Sequence, residues 1–487
     1  MTKENRLTMP RLVLMLAELT AFAVLAVIAS HHFGYADGAR ITVANAIAYI
    51  IPRTILSRAR GSNLTAHVLL FVLTFFLIAV DFSRMLLWTS YEEFSLEIPN
   101  VQNDARLYYG WALQSYYGNT RLGEIPFPGF PLMMVGMWKV LGVSVVWPAA
   151  MNMMFTLTSV VLTGMTTRRL LLGRVAAPAT ALLNGGMLLT SILFYYLMIG
   201  TGILKEGSVY LSMSMAGYAL ASMTACDEER HRPWLDLLLF VLACVLMAGV
   251  RTTYLYFIAL GVAIMSLPNW RRDWIMSLAM MAIFLITLFV GDYFSSYSFE
   301  RHAEIVGGGW NMQRFYIKGE SQLLYREILD YYFLYTPWHR LLMLPLTMSV
   351  QFIIPIPWVY YEHLSVLNIL SRLTWGWYLV GGTAAFYYLF ICWRRHQGMG
   401  FWAWWPAASF IVMAYIMAGS TARYVLPIEP LFVPVAMFVF CRLAEGQWRR
   451  QYKLWCVAFV VMLAAALVVC YLFQRGILSG LLAAPAA

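Results

Sequence analysis

The sequence predicts an all-α polytopic integral membrane protein with about 13 transmembrane helices. Three observations predict it. Apolar runs of about 17–22 residues recur along the chain, each long enough to cross a bilayer's hydrocarbon as a helix. Of the 487 residues, 61% are hydrophobic and 12% charged, about half the charged share of a soluble domain. Basic residues gather at the ends of the runs, as in "TTRRLLLGR" (166–174), "NWRRDW" (269–274), "CWRRHQ" (392–397) and "CRLAEGQWRRQYK" (441–453). That clustering marks cytoplasmic loops, so the net charge of +10 records topology and does not call for nucleic acid. A β-barrel would show short alternating segments instead.

The elements follow in order. The N-terminus lies inside, and a first helix over about 11–30 stays as an anchor, because no small-residue cleavage site follows it. A weaker return segment, about 41–56, ends in the basic "PRTILSRARGS". Residues 1–65 thus form an N-terminal helical hairpin ahead of a main transmembrane domain, 66–487. A third helix, about 66–88, leads outward and puts a first outer loop, 90–128, on the external face. "PLMMVGMWKVLG" (131–142) is too short to span and lies at the interface. Later spans cover about 147–166, 176–196, 205–224, 234–250, 253–269, 274–291, 373–393, 401–419, 424–441 and 454–474. A long outer loop occupies 292–340. The Pro-broken "LLMLPLTMSVQFIIPIPWVYYEH" (341–363) reads as re-entrant or interfacial, since irregular backbone at membrane depth must line protein or water. Inverted repeats of the transporter kind are not visible.

Six cysteines, Cys226, Cys244, Cys392, Cys441, Cys456 and Cys470, lie in or beside apolar helices without metal-ligand spacing and read as small buried residues. The first outer loop carries "NVQNDARLYYGWALQ" (100–114). Asp104 has two readings there: a cap on an amphipathic helix, or a general base at the membrane surface. Periodicity turns Leu107, Tyr108, Trp111 and Ala112 toward lipid or protein. Glu92, Glu93 and Glu97 precede it without fixed ligand spacing, so no metal site is assigned. No cofactor is required, although outer carboxylates leave room for a divalent cation.

The short hairpins bring Lys205, Glu206, Arg251 and Arg423 to the outer side. Lys205 and Glu206, in "GILKEGSVYLSMSMAGYAL" (202–220), are either a snorkelling interfacial pair or a functional pair, with the acid orienting an acceptor. Arg423 and Tyr424 open "ARYVLPIEPLF" (422–432), where a guanidinium suits a lipid phosphate or anchors a helix at the headgroups. Glu429 lies deeper, and ionisable groups inside a span face a cavity or a partner. Asp81 and Arg84 are spaced i,i+3 to pair with each other. Arg301, His302, Arg314, Lys318, Arg326 and Arg340 charge the long outer loop.

The order of Asp104, a Tyr-containing helix, "PFPGFPLM" (126–133), "VLG" (140–142), "RRLLLG" (168–173) and "ARYVLPIEPLF" resembles the GT-C superfamily of membrane glycosyltransferases, of the protein-mannosyltransferase and lipid A aminoarabinose-transferase type. The resemblance runs over about 100–185 and more loosely over 200–225 and 419–440. It departs where the family's paired "DE" is "NDA" and its "PPL" is "PGFPL". It implies a polyprenyl-phosphate sugar donor, a glycan, lipid or protein acceptor, and inverting transfer. It implies Asp104 as base, Glu206 as a second outer acid and Arg423 as a phosphate-side arginine. Lys205, Arg251 and Tyr424, which the topology puts on the same outer side, are further candidates for holding the lipid phosphate. Two other readings of the chain compete: an O-antigen-type polymerase or ligase working through Arg301 or Arg314, and a lipid-linked-sugar transporter or flippase.

Overall fold

The computed structural model describes residues 9–101, 103–119, 125, 128–200, 203–223, 233–294, 341, 344, 348, 377–392, 397–416 and 427–474. Their regular structure is helical, with a lone bridge between Leu172 and Val175. Among the described residues four stretches are long and apolar enough to cross a membrane: Met9–Phe33, Leu64–Trp88, Val146–Leu171 and Pro233–Ser266. The protein is an all-α membrane protein.

Helices α1 (Met9–Phe33) and α2 (Tyr35–Arg58) form a hairpin. The chain reverses at Gly34, whose φ of 82° is left-handed and suits a residue without Cβ. The helices then touch: a Cβ on Gly38 would lie 2.5 Å from the Ser30 nitrogen. Lower down, Glu18 of α1 accepts from Tyr49 Oη at 2.5 Å and Arg53 Nε at 2.9 Å, so the buried carboxylate is paired and hydrogen-bonded as burial demands. Helix α3 (Leu64–Trp88) starts at Asn63, whose side chain accepts from Ala66 N at 2.9 Å. Its Asp81–Arg84 pair closes at 3.1 Å within one helix, as the spacing predicts.

Helix α6 (Val146–Leu171) is the buried centre of the bundle. Its hydroxyls at Thr156, Thr158, Ser159, Thr163, Thr166 and Thr167 each donate to the carbonyl four residues back, so these donors are met within the helix in an apolar interior. Helix α7 (Ala179–Gly200) runs antiparallel to it through small residues. A Cβ on Gly164 would meet Met187 at 2.6 Å, and one on Gly186 would meet Thr167 at 2.7 Å. Helix α8 (Glu206–Ala221) runs parallel to α6. Contacts pair Asn152 with Leu204, Thr163 with Ser214 and Arg169 with Tyr218, from one end to the other.

Two ends of the bundle are thereby defined. At one, α6 finishes in Arg168 and Arg169, and Arg169 grips Asp236 of α9 (Pro233–Arg251) through two bonds of 2.7 and 3.1 Å. The Arg169 guanidinium also lies 4.6 Å from the Tyr218 ring centre. Helix α13 (Val433–Ala444) ends nearby, where Arg442 donates to Arg174 O and Glu445 accepts from Ala176 N at 2.9 Å. Helix α14 (Arg449–Gln474) starts here too. The other end carries Lys205, Glu206 and Arg251, and is called the site end below.

Between them lie α10 (Leu255–Phe294), α11 (Thr383–Tyr387, flanked by wide π-type turns) and α12 (Trp404–Ile416). Trp405 of α12 donates to Phe257 O at 2.7 Å and fills the space a Cβ on Gly261 would occupy. Here the structure corrects the sequence. Residues 253–269 and 274–291 were expected as two spans with "NWRRDW" as the turn, but α10 is one continuous helix of 40 residues. At 1.5 Å per residue it is about 60 Å long, roughly twice the hydrocarbon thickness. A continuous helix does not reverse, so the charge argument that put 292–340 on the outer face loses its basis. Residues 295–340, with Arg301, His302, Arg314, Lys318, Arg326 and Arg340, lie outside the described residues, as does nearly all of 341–363.

Two predictions follow from the end that carries Arg169. Replacing Arg169 by Met strands the buried Asp236 carboxylate and should destabilise the protein by about 3–5 kcal/mol, whereas the Arg169→Met, Asp236→Leu double variant recovers most of it; reversible unfolding in mixed micelles measures both. The Ala176 N–H, helped by Arg442, holds the Glu445 carboxyl below its ordinary range. Its stabilisation is therefore present above the unfolded value and lost as pH falls through the lowered one. The stability gap between wild type and Glu445→Gln should close on acidification.

Candidate functional site at the Lys205 end

Four charged side chains are buried at the site end: Lys205 (7% exposed), Glu206 (2%), Arg251 (8%) and Glu429 (2%). Each is delivered by the end of a helix. Lys205 and Glu206 begin α8, and that start is fixed by the Asn152 amide, which donates to Leu204 O at 2.6 Å. Gly207 is required there, because a Cβ would lie 2.7 Å from Asn152 Oδ1. Arg251 ends α9, where the backbone turns out of helix at φ −162° and ψ 80° into the tight turn Thr252–Tyr254. Glu429 opens the turn Glu429–Phe432 before α13.

These groups share one electrostatic environment. The Tyr210 hydroxyl, one turn below Glu206 on the same face of α8, feels the charges of Glu206, Glu429 and Arg251 and the neighbouring Tyr254. The Arg251 guanidinium stacks 4.9 Å from the Tyr254 ring centre, and the Lys205 ammonium lies 5.4 Å from that of Tyr108. Two cations, two carboxylates and three phenols thus converge where the bundle meets its surface helices. In so apolar a setting charges interact far more strongly than in water.

The surface helices are α4 (Asn103–Tyr116) and α5 (Gly129–Leu141). They pack through aromatic edges: Tyr109 against Trp138 at 5.0 Å and Tyr108 against Phe130 at 5.9 Å. Tyr109 also donates to Glu97 O at 2.7 Å, and burial pushes its phenol well above the ordinary value. Helix α5 meets α9 backbone to backbone, since a Cβ on Gly129 would lie 2.6 Å from the Gly249 carbonyl carbon. That contact sets the short helices beside Arg251.

Asp104 stands in the first turn of α4, as the second residue of Asn103–Tyr116. An acid in the first turn is favoured by the helix dipole. Its side chain lies outside the described residues, as do Arg423 and Tyr424. The buried face of α4 is Ala105, Tyr109 and Ala112, with Leu107 53% exposed. Leu107, expected to face lipid or protein, is thus free to face lipid, whereas Ala112 and Tyr108 face protein.

Of the residues singled out by sequence, Lys205, Glu206 and Arg251 are therefore brought to one end and buried. Glu429, noted as an ionisable group inside a span, joins them. Tyr210, Tyr254 and Asn152 were missed. Their one signal was spacing, with Tyr210 four residues after Glu206 and Tyr254 three after Arg251, and aromatic residues at helical spacing usually read as core. Among the described residues no group of three or more His, Cys, Asp or Glu is arranged to hold a metal.

No family model and no curated protein matches the sequence. Among solved structures, ArnT from Cupriavidus metallidurans bound to undecaprenyl phosphate aligns with 84% of this chain and 73% of its own, at 13% identity and a TM-score of 0.45. A likeness at that level identifies neither family nor activity.

The Gly129–Gly249 contact yields a prediction. Gly129→Ala forces α5 off α9 and should cost about 1–3 kcal/mol. A cysteine placed at Thr252 should then react faster with a membrane-impermeant thiol reagent than it does with Gly129 in place.

Proposed function

We propose that the protein is a membrane glycosyltransferase. It moves a sugar from a polyprenyl-phosphate-linked donor to a hydroxyl of a glycan, lipid or protein acceptor at the outer face, with inversion. The observation that carries this reading is the burial of Lys205 and Arg251 together with Glu206 at the end of the bundle bordered by the Asp104 helix. A lipid-linked donor keeps its phosphate at headgroup depth, so its reacting carbon lies at the interface. Such an enzyme needs cations at the phosphate and a base toward the acceptor. The motif order from Asp104 to "RRLLLG" adds the GT-C resemblance.

In this mechanism Asp104 takes the acceptor hydroxyl's proton as the oxygen attacks the anomeric carbon from the face opposite the phosphate. The bond from anomeric carbon to phosphate oxygen breaks, and its electron pair leaves with the polyprenyl phosphate. Lys205 and Arg251, with Arg423 and Tyr424 in the sequence reading, stabilise that departing charge. Glu206 orients the acceptor. The main domain, 66–487, performs the reaction, and the hairpin 1–65 is an addition to it.

The flippase reading asks for unspent polar groups at mid-membrane. Here Asp81 is held by Arg84, and Glu429 belongs to the charged cluster at the site end. The ligase reading rests on Arg301 and Arg314, outside the described residues.

The test is transfer by the purified full-length protein from a panel of polyprenyl-phosphate sugars. Asp104→Asn should lower kcat by about 10²–10⁴-fold with the fold intact; a variant that folds and transfers normally removes Asp104 from the mechanism. Lys205→Met and Arg251→Met should each cost roughly 10- to 100-fold in kcat/KM, read as lost charge stabilisation of the leaving phosphate.

A further inference from the structure

Both buried cations of the site are seated on tyrosine rings, Lys205 on Tyr108 and Arg251 on Tyr254. A ring face steadies a desolvated cation through its quadrupole and adds no formal negative charge to compete with an incoming phosphate. The two seats differ in what carries them. Tyr254 lies three residues after Arg251, in the turn that Arg251 opens, so cation and ring move as one piece. Tyr108 belongs to α4, whereas Lys205 stands at the head of α8 in the bundle.

Tyr108 is also four residues after Asp104, one helical turn along and on the same face. Its ring is held on two further sides, by Trp111 of its own helix at 5.7 Å and Phe130 of α5 at 5.9 Å. A ring so confined transmits displacement to its backbone, because a side chain packed on several sides has little freedom to absorb it. The helix that carries the proposed base thus touches the phosphate-binding lysine through a confined side chain.

We propose that Tyr108 is a positioning residue that couples lipid-phosphate capture at Lys205 to the placement of the Asp104 helix. The proposal rests on the phosphate role given to Lys205 above. An ammonium has three donors. When phosphate oxygens accept from it, the ammonium is fixed in place while its ring contact persists, and α4 is held more firmly against the head of α8. When the product lipid phosphate leaves, that hold is relaxed. The Asp104 helix is then best ordered only while a lipid phosphate is present.

Hydrogen exchange of the full-length protein in nanodiscs, with and without a saturating polyprenyl phosphate, tests this. In wild type and Tyr108→Phe, bound phosphate should slow exchange of the α4 amides by about fivefold or more. In Tyr108→Leu, and in Tyr108→Met, which better keeps the side-chain volume, the phosphate should bind roughly 5- to 30-fold more weakly. At saturation it should leave α4 exchange unchanged. Slowing retained in both the Leu and Met variants, slowing lost in Phe, or wild-type binding with no effect on α4 overturns the coupling while leaving the phosphate site standing. Failure of wild type to bind the polyprenyl phosphate instead overturns the role of Lys205, and the coupling with it.

Discussion

The site depends on one hydrogen bond between two helices, from the Asn152 amide to the Leu204 carbonyl. It joins the buried central helix to the residue just ahead of Lys205 and Glu206. In an apolar interior a lone amide is costly, so the bond is held as firmly as the packing around it. Parallel contact of α6 with α8 follows from it, continued by Thr163 with Ser214 and closed by Arg169 on Tyr218. Asn152 locates one end of α8 and Arg169 the other. The charged head of α8 is therefore placed by the same element that organises the rest of the bundle.

The two ends of the bundle are tied to different surroundings. Arg169 and Asp236 meet in a two-bond pair that anchors α6 to α9. At the site end the cations lie beside aromatic faces and two acids act on the Tyr210 phenol. Charges gathered in an apolar setting direct a field at whatever enters it. The short surface helices α4 and α5 border that end, which is why it is read as chemical.

Much of this was legible in the sequence, and what was not has physical reasons. Hydropathy and short hairpins were enough to bring Lys205, Glu206 and Arg251 to one side, because helix length and bilayer thickness leave few alternatives. The Asp81–Arg84 pair was legible from spacing alone. Tyr210 and Tyr254 were not, since a buried phenol beside a charge has the same periodicity as any core aromatic. The continuity of α10 was hidden by "NWRRDW", whose charges resemble a loop although none of those residues breaks a helix.

The hydroxyl-rich central helix bears on how the protein is made. The most apolar 18 residues of helix α6 have a mean hydropathy of only 1.3, against 2.5 and 2.2 for those of α1 and α3. Yet its threonine and serine hydroxyls are bonded to its own carbonyls. That masking is local to the helix and needs no neighbour. The segment can therefore enter lipid as it emerges during synthesis, before α7 and α8 exist to cover it. The hydroxyls of the bundle's centre thus ask nothing of later helices, whereas Asn152 and Arg169 are met only once α8 and α9 arrive.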